Sequence, residues 1–195
     1  MRSISRLCAA IMMVAALVSN PTFAEDKDNY DQTVEMFRGA ISSDFFDNAY
    51  GYAVFPNIGK GGMGIGGAHG KGQVYAKGAH VGNTRMTQLT IGLQLGGQVY
   101  SQIIFFQDER AFNEFTSGNF EFGAQATAIA ITASASAATT TTGTGAGAAT
   151  SKDAAKATGQ YNSGMAVFTV AKGGLMYEAT LGGQKFSYKD AGEDE

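Results

Sequence analysis

The chain has 195 residues, a formal net charge of −3 and a single cysteine. That length suits one domain with appendages. The acidic balance argues against bulk nucleic-acid binding by charge, and one thiol allows neither a disulfide framework nor a cysteine-rich metal site.

Residues 1–24 read as a secretory signal peptide. Arg2 and Arg6 precede an apolar run from Leu7 to Val18, and Thr22-Phe23-Ala24 offers a small-residue cleavage site. The run is shorter than the roughly 20 residues of a membrane-spanning helix. Cleavage would remove Cys8. It would also take Arg2 and Arg6 from the 14 basic residues, leaving 12 against 17 acidic ones, a formal charge of −5. The expected product is an exported protein, periplasmic or extracellular, with one domain over 25–189 and an acidic tail over 190–195.

Tyr30, Val34, Phe37 and Ile41 recur at helical spacing, with Asn29 as N-cap and Gly39 as the stop. Ser43 is placed to cap a second turn running to Tyr50, closed by Gly51. Tyr52 to Phe55 reads as a strand ended by Pro56-Asn57. Gly62 to Gly67 and Gly72 to Ala76 read as a hairpin with His69-Gly70-Lys71 in its turn. In the next strand Leu89, Ile91, Leu93 and Leu95 share an apolar face, Gly96-Gly97 turns the chain, and Gln98 to Phe106 returns. Asp108 is placed to cap a helix that buries Phe112 and Phe115. Phe120 to Thr132 reads as a strand. The Ala/Thr/Gly run near 135–151 reads as a flexible loop, since small side chains bury too little to offset the entropy of ordering, and Lys152 to Lys156 as a helical turn. Strands over Gly164 to Ala171, Leu175 to Leu181 and Gln184 to Tyr188 close an antiparallel meander, with glycine pairs at the turns. The expected fold is α+β: a Gly-rich twisted antiparallel sheet, or a partly closed β-barrel, covered by short N-terminal and central helices.

The acids crowd the ends of the chain. From Asn48 to Gln107 there is no Asp or Glu, but there are Lys60, Lys71, Lys77, Arg85, His69 and His80. Hairpin folding would gather several of these cations at one rim, where glycine-rich turns add backbone donors for an anion. Near an anionic bilayer each cation contributes on the order of 1 kcal/mol. Enzymatic signals are thin. Gly62 to Gly67 matches G-x-G-x-x-G, but neither a helix start nor an acid about 20 residues on follows it. Ser101, Ser163 and Ser187 lack the glycines of a nucleophile elbow. No cofactor, metal or enzymatic activity is expected.

Several blocks resemble a known family. Tyr52-Ala53-Val54-Phe55-Pro56, Gly59-Lys60-Gly61-Gly62 and Gly66 through Gly72 are similar to the opening block of SYLF domains. Gly92 to Gln98 followed by Ile103-Ile104-Phe105-Phe106 resembles their central block, and Gly118 to Gly123, Tyr161 to Gly164 and Gly173 to Met176 their closing blocks. The resemblance runs from about Tyr30 to Tyr188. It implies non-enzymatic binding of phospholipid, and for eukaryotic members links to phosphoinositides, membrane remodelling and actin. With the residues above, it points to an anionic phospholipid surface as the partner, with Lys60, Lys71, Lys77, Arg85, His69 and His80 as the lipid-binding set. The alternatives are an integral outer-membrane β-barrel, which shares the alternating strands and glycines, and a structural or stress-related envelope protein that binds other proteins.

Overall fold

The structure is a computed structural model, and it describes residues 27–123, 126, 128–131, 138–139, 157–173 and 181–192. Its frame is one long hairpin. Strand β1 (Gly51–Ala76) and strand β2 (Ala79–Phe106) pair antiparallel along their length, from Gly51 opposite Phe106 to Ala76 opposite Ala79. The turn between them is Lys77-Gly78, both at positive φ (50° and 82°), as a two-residue hairpin loop requires.

This corrects the expected punctuation. His69-Gly70-Lys71 and Gly96-Gly97 lie inside strands rather than at turns. Pro56-Asn57 does not end a strand. It forms a bulge in which two residues oppose Ser101, between the pairs Phe55–Gln102 and Ile58–Tyr100. The bulge is held by two long-range bonds: Ser101 Oγ donates to the Pro56 carbonyl (2.7 Å) and Lys172 Nζ to Asn57 Oδ1 (2.9 Å).

The ribbon folds back on itself, giving two arms. The first holds 51–62 of β1 and 96–106 of β2; the second holds 65–76 and 79–91. Where the arms meet, backbone passes so close that side chains are excluded. A Cβ on Gly51 would collide with the Tyr75 carbonyl oxygen, and one on Gly72 would lie 2.6 Å from the Phe55 ring. Lys77 N–H donates to the Tyr50 carbonyl (3.1 Å) across the same seam.

Each arm then recruits its own strands. Strand β6 (Met165–Gly173) pairs with the first arm through residues 99–106 of β2. Strand β7 (Gln184–Asp190) pairs with the second through 82–88. Among the described residues β6 and β7 do not pair with each other, and the middle strand expected between them, Leu175 to Leu181, lies almost wholly outside the described residues. Strand β4 (Ile129–Ile131) runs parallel to β6, so the sheet is mixed rather than purely antiparallel; β5 (Ala138–Thr139) extends it, and β3 (Phe120–Glu121) flanks β7. The single strand expected over 120–132 is thus two short ones. Residues 138–139 of the expected loop are strand; its other residues and the 152–156 turn lie outside the described residues. Asp190, expected to open a tail, pairs with Gly82 instead.

The interior of this curled half-barrel is apolar. Phe55, Ile104 and Phe106 from one arm meet Val74, Met86 and Phe186 from the other, and the Phe55 and Phe186 rings are 5.6 Å apart. Helix α3 (Glu109–Thr116) closes one end. Its N-cap is Asp108, whose Oδ1 accepts from Ala111 N (2.8 Å). It sets Phe115 against Phe106 (4.9 Å) and Phe186 (5.1 Å). Toward the bend the interior turns polar. Gln102 and Gln184, both buried, exchange reciprocal amide bonds (3.1 and 3.3 Å) beside the buried Tyr100 hydroxyl, so their polar atoms are satisfied out of water.

Outside, helix α1 (Lys27–Ala40) and helix α2 (Ser43–Asn48) cover the first arm. Helix α1 starts two residues before the expected cap Asn29 and runs one residue past Gly39; Ser42, not Ser43, caps α2. Tyr30, Val34 and Phe37 on α1, with Ile41 just beyond it and Phe45 on α2, bury against Val54, Ile103, Phe105 and Phe168. Phe45 sits 5.4 Å from Phe105 and 5.0 Å from Phe168.

Candidate binding surface

The N-terminal end of α1 reaches the hairpin-turn end of the second arm, where Tyr30 lines a groove with Lys71 and Tyr75 packs against the α1 cluster. The strand registers show what the rest of that outer face holds. In-register neighbours share a face and next-nearest residues along a strand return to it. Lys71, Arg85 and Ser187 form one row across β1, β2 and β7. His69, Thr87 and Lys185 form the next, and Gln73, Asn83 and Lys189 the row on the other side. Lys71, Arg85, Lys185 and Lys189 are all exposed. At about 4.8 Å between strands and 3.3 Å per residue, these four cations occupy a patch roughly 10 by 13 Å. The acid that joins them is Glu121, opposite Lys185, with its Oε2 3.5 Å from Lys185 Nζ.

Lys71 and Arg85 stand directly opposite each other, an arrangement in which like charges repel. They border a groove of about 450 Å³ that Lys189, Ser187, Asn83 and Tyr30 also line. A second groove of about 470 Å³ continues toward the bend, between His69, Thr87, Leu89 and Lys185. Such a surface supplies guanidinium, ammonium and hydroxyl donors in one plane, suited to several phosphate oxygens at once.

The residues expected to gather at a rim are distributed along the ribbon. Lys71, Arg85 and His69 come together on the face just described. Lys60 pairs with Gln98 on the first arm. Lys77 sits in the hairpin turn with its Nζ 5.2 Å over the Tyr50 ring, and His80 lies against Tyr75, ring centres 5.6 Å apart. Lys185 and Lys189 were missed. Their signal is the alternation in Gln184-Lys185-Phe186-Ser187-Tyr188-Lys189, in which Gln184 and Phe186 are buried and the basic positions are not.

The apolar face expected for Leu89 is reversed. Leu89 is 81% exposed, while Gln88 is buried and its Nε2 donates to the Gly182 carbonyl (3.0 Å). The bond offsets the cost of burying the amide, and it turns Leu89 outward. The side chains of Ile91, Leu93 and Leu95 lie outside the described residues.

Burial perturbs the tyrosines. At the seam between the arms Tyr75 stacks on Tyr52 (5.0 Å). Its hydroxyl is pushed up to about 12, first by desolvation and then by the neighbouring Tyr52 and Asp31. Burial also raises Tyr100, against a smaller opposing effect of its bond with Gln184. Among the described residues no group of three or more His, Cys, Asp or Glu could hold a metal ion, and no helix is long and apolar enough to cross a membrane.

The outer face of the curled sheet is thus covered by helices on the first arm and largely exposed and basic on the second. The family model described as "Ysc84: Las17-binding protein actin regulator" matches residues 87–193. Beta cell expansion factor A from Aeromonas veronii is 32% identical over 145 residues, 72% of this chain and 46% of that protein. The chain belongs to the Ysc84 family, the SYLF-domain proteins. It spans less than half the length of this curated relative.

Proposed function

We propose that the exposed face of the second arm binds anionic phospholipid at a membrane surface. The observation that carries this reading is the convergence of Lys71, Arg85, Lys185 and Lys189 on one plane of three in-register strands, in a chain whose net charge is −3. Lys71 and Arg85 stand side by side and exposed, so one anionic surface can meet both. A flat, multiply cationic face matches a plane of headgroups better than a single enclosed ligand. Residues 1–24 read as a secretory signal, so the membrane concerned is one met from the periplasmic or extracellular side.

The face is too charged for the apolar outer band of an integral β-barrel, which favours docking at the surface over spanning. A second reading, a protein partner on the same face, draws on the family description, which names binding to Las17 and actin regulation.

The test is co-sedimentation with phosphatidylserine-containing and pure phosphatidylcholine vesicles across a salt series. The expected outcome is binding to the anionic vesicles alone, weakening as salt rises, and lost in the Arg85→Glu/Lys189→Glu double variant. Equal binding to both vesicle types, or none at low salt, would overturn the reading and leave the protein partner.

A further inference from the structure

Leu89 stands out on the basic face. It is 81% exposed, and its register partner on β1 is Gly67, which has no side chain to cover it. On its other side Gly183 lies next in chain to the β7 ladder and lines the same groove. The other large hydrophobic residue exposed among the described residues is Val99, at 42%. Its partner Gly59 lines the groove that Leu89 borders, so both sit at the bend end of the ribbon. The stretch joining them, 89–99, contains no charged residue. Immediately behind Leu89 come His69, Thr87 and Lys185, then Lys71 and Arg85. Exposed Leu89 and Val99 backed by these cations have the polarity of a bilayer surface, with acyl chains beneath anionic headgroups. Water gives these two side chains nothing to bury against.

From this we propose that the bend end of the hairpin is a membrane-penetrating wedge: Leu89, with Val99, enters the acyl region while Arg85, Lys71 and Lys185 hold the headgroups. This rests on the anionic-lipid reading and adds orientation and depth to it. The domain docks tilted, bend end down, with the Lys77-Gly78 turn held away from the bilayer. The four residue steps from Arg85 to Leu89 span about 13 Å along the strand, so a tilt places the leucine below the headgroups without burying the arginine.

The test uses the sole cysteine as an opportunity. The full chain carrying Cys8→Ser is labelled with an environment-sensitive fluorophore at Leu89→Cys, at Ser187→Cys on the basic face, or at Ser117→Cys beyond α3. It is then mixed with phosphatidylserine-containing vesicles, with or without acyl-brominated lipid. The expected result is a blue shift and bromine quenching at position 89, a weaker shift without quenching at 187, and no change at 117. Since a label could itself drive insertion, unlabelled Leu89→Ser is measured beside it. Its binding is expected to weaken about tenfold with an unchanged salt dependence. Vesicle binding with position 89 unquenched, or with Leu89→Ser at full affinity, would overturn the wedge and leave the headgroup reading standing. Loss of all vesicle binding by the parent chain would overturn both.

Discussion

The two arms of one hairpin share their strands and their glycine content, yet their outer faces differ. On the first arm, outward residues Val54, Ile103 and Phe105 are large and apolar, and α1 and α2 bury them. On the second, the outward positions of the same two strands hold His69, Lys71, Arg85 and Thr87, and β7 adds Lys185 and Lys189. The interior face of both is mainly apolar, with buried glutamines toward the bend. The outer face of the first arm is used for packing against α1 and α2, whereas most of the outer face of the second stays exposed. Substitutions on the two faces should therefore have separable effects.

The largest separation is expected from Phe105→Ala. Phe105 is fully buried and touches Phe45, Phe46 and Phe168. Its loss should cost about 4 kcal/mol in a denaturant melt while the folded fraction still binds vesicles. At the seam, Gly72→Ala pushes a methyl group toward the Phe55 ring and the Val54 carbonyl. Overpacking there should cost about 1–3 kcal/mol, whereas Gly59→Ala, whose Cβ meets nothing within 4 Å, serves as the tolerated control. Equal melts for the two glycine variants would break the account of the seam. Arg85→Glu should do the reverse of Phe105→Ala. Its melt should stay within about 0.5 kcal/mol of the parent, and its affinity for anionic vesicles should fall by about 2 kcal/mol, since two units of charge change at roughly 1 kcal/mol each.

The smallest effect is alkaline. Tyr75 ionises at a higher pH in the folded chain, about 12, than the usual 10. The folded state thus holds its proton where the unfolded state releases it. This stabilisation is complete below pH 10 and is lost as pH rises from 10 toward 12. Tyr75→Phe should flatten the stability-versus-pH curve in that window, read by melts at pH 9 to 11.5. An unchanged curve would show that burial at the stacked pair with Tyr52 has been overstated.

Much of the fold was legible because its signals are local. The spacing of Tyr30, Val34, Phe37 and Ile41, the Asp108 cap, and the alternation after Gln98 each depend on neighbours a few residues away. The long strands were not legible, because glycine marks both a turn and a close approach of backbones. Gly72 is glycine because Phe55, far away in sequence, presses on it, and single-sequence spacing cannot distinguish that from a loop. The reversed face at Leu89 has a similar cause: Gln88 is buried by a bond to Gly182, a residue from the other end of the chain. The proposed face was half legible. The acid-free middle drew attention to Lys71 and Arg85, but the other two cations arrive on β7, and only the sheet register brings them alongside.

On this reading the exposed arm, rather than the ribbon as a whole, meets the membrane. Lysine-selective acetylation read by mass spectrometry, with and without phosphatidylserine-containing vesicles, tests it directly. Lys71, Lys185 and Lys189 are expected to lose reactivity on vesicles while Lys77, in the hairpin turn, keeps it. Uniform protection of all four, or protection of Lys77 with the three left reactive, would contradict it.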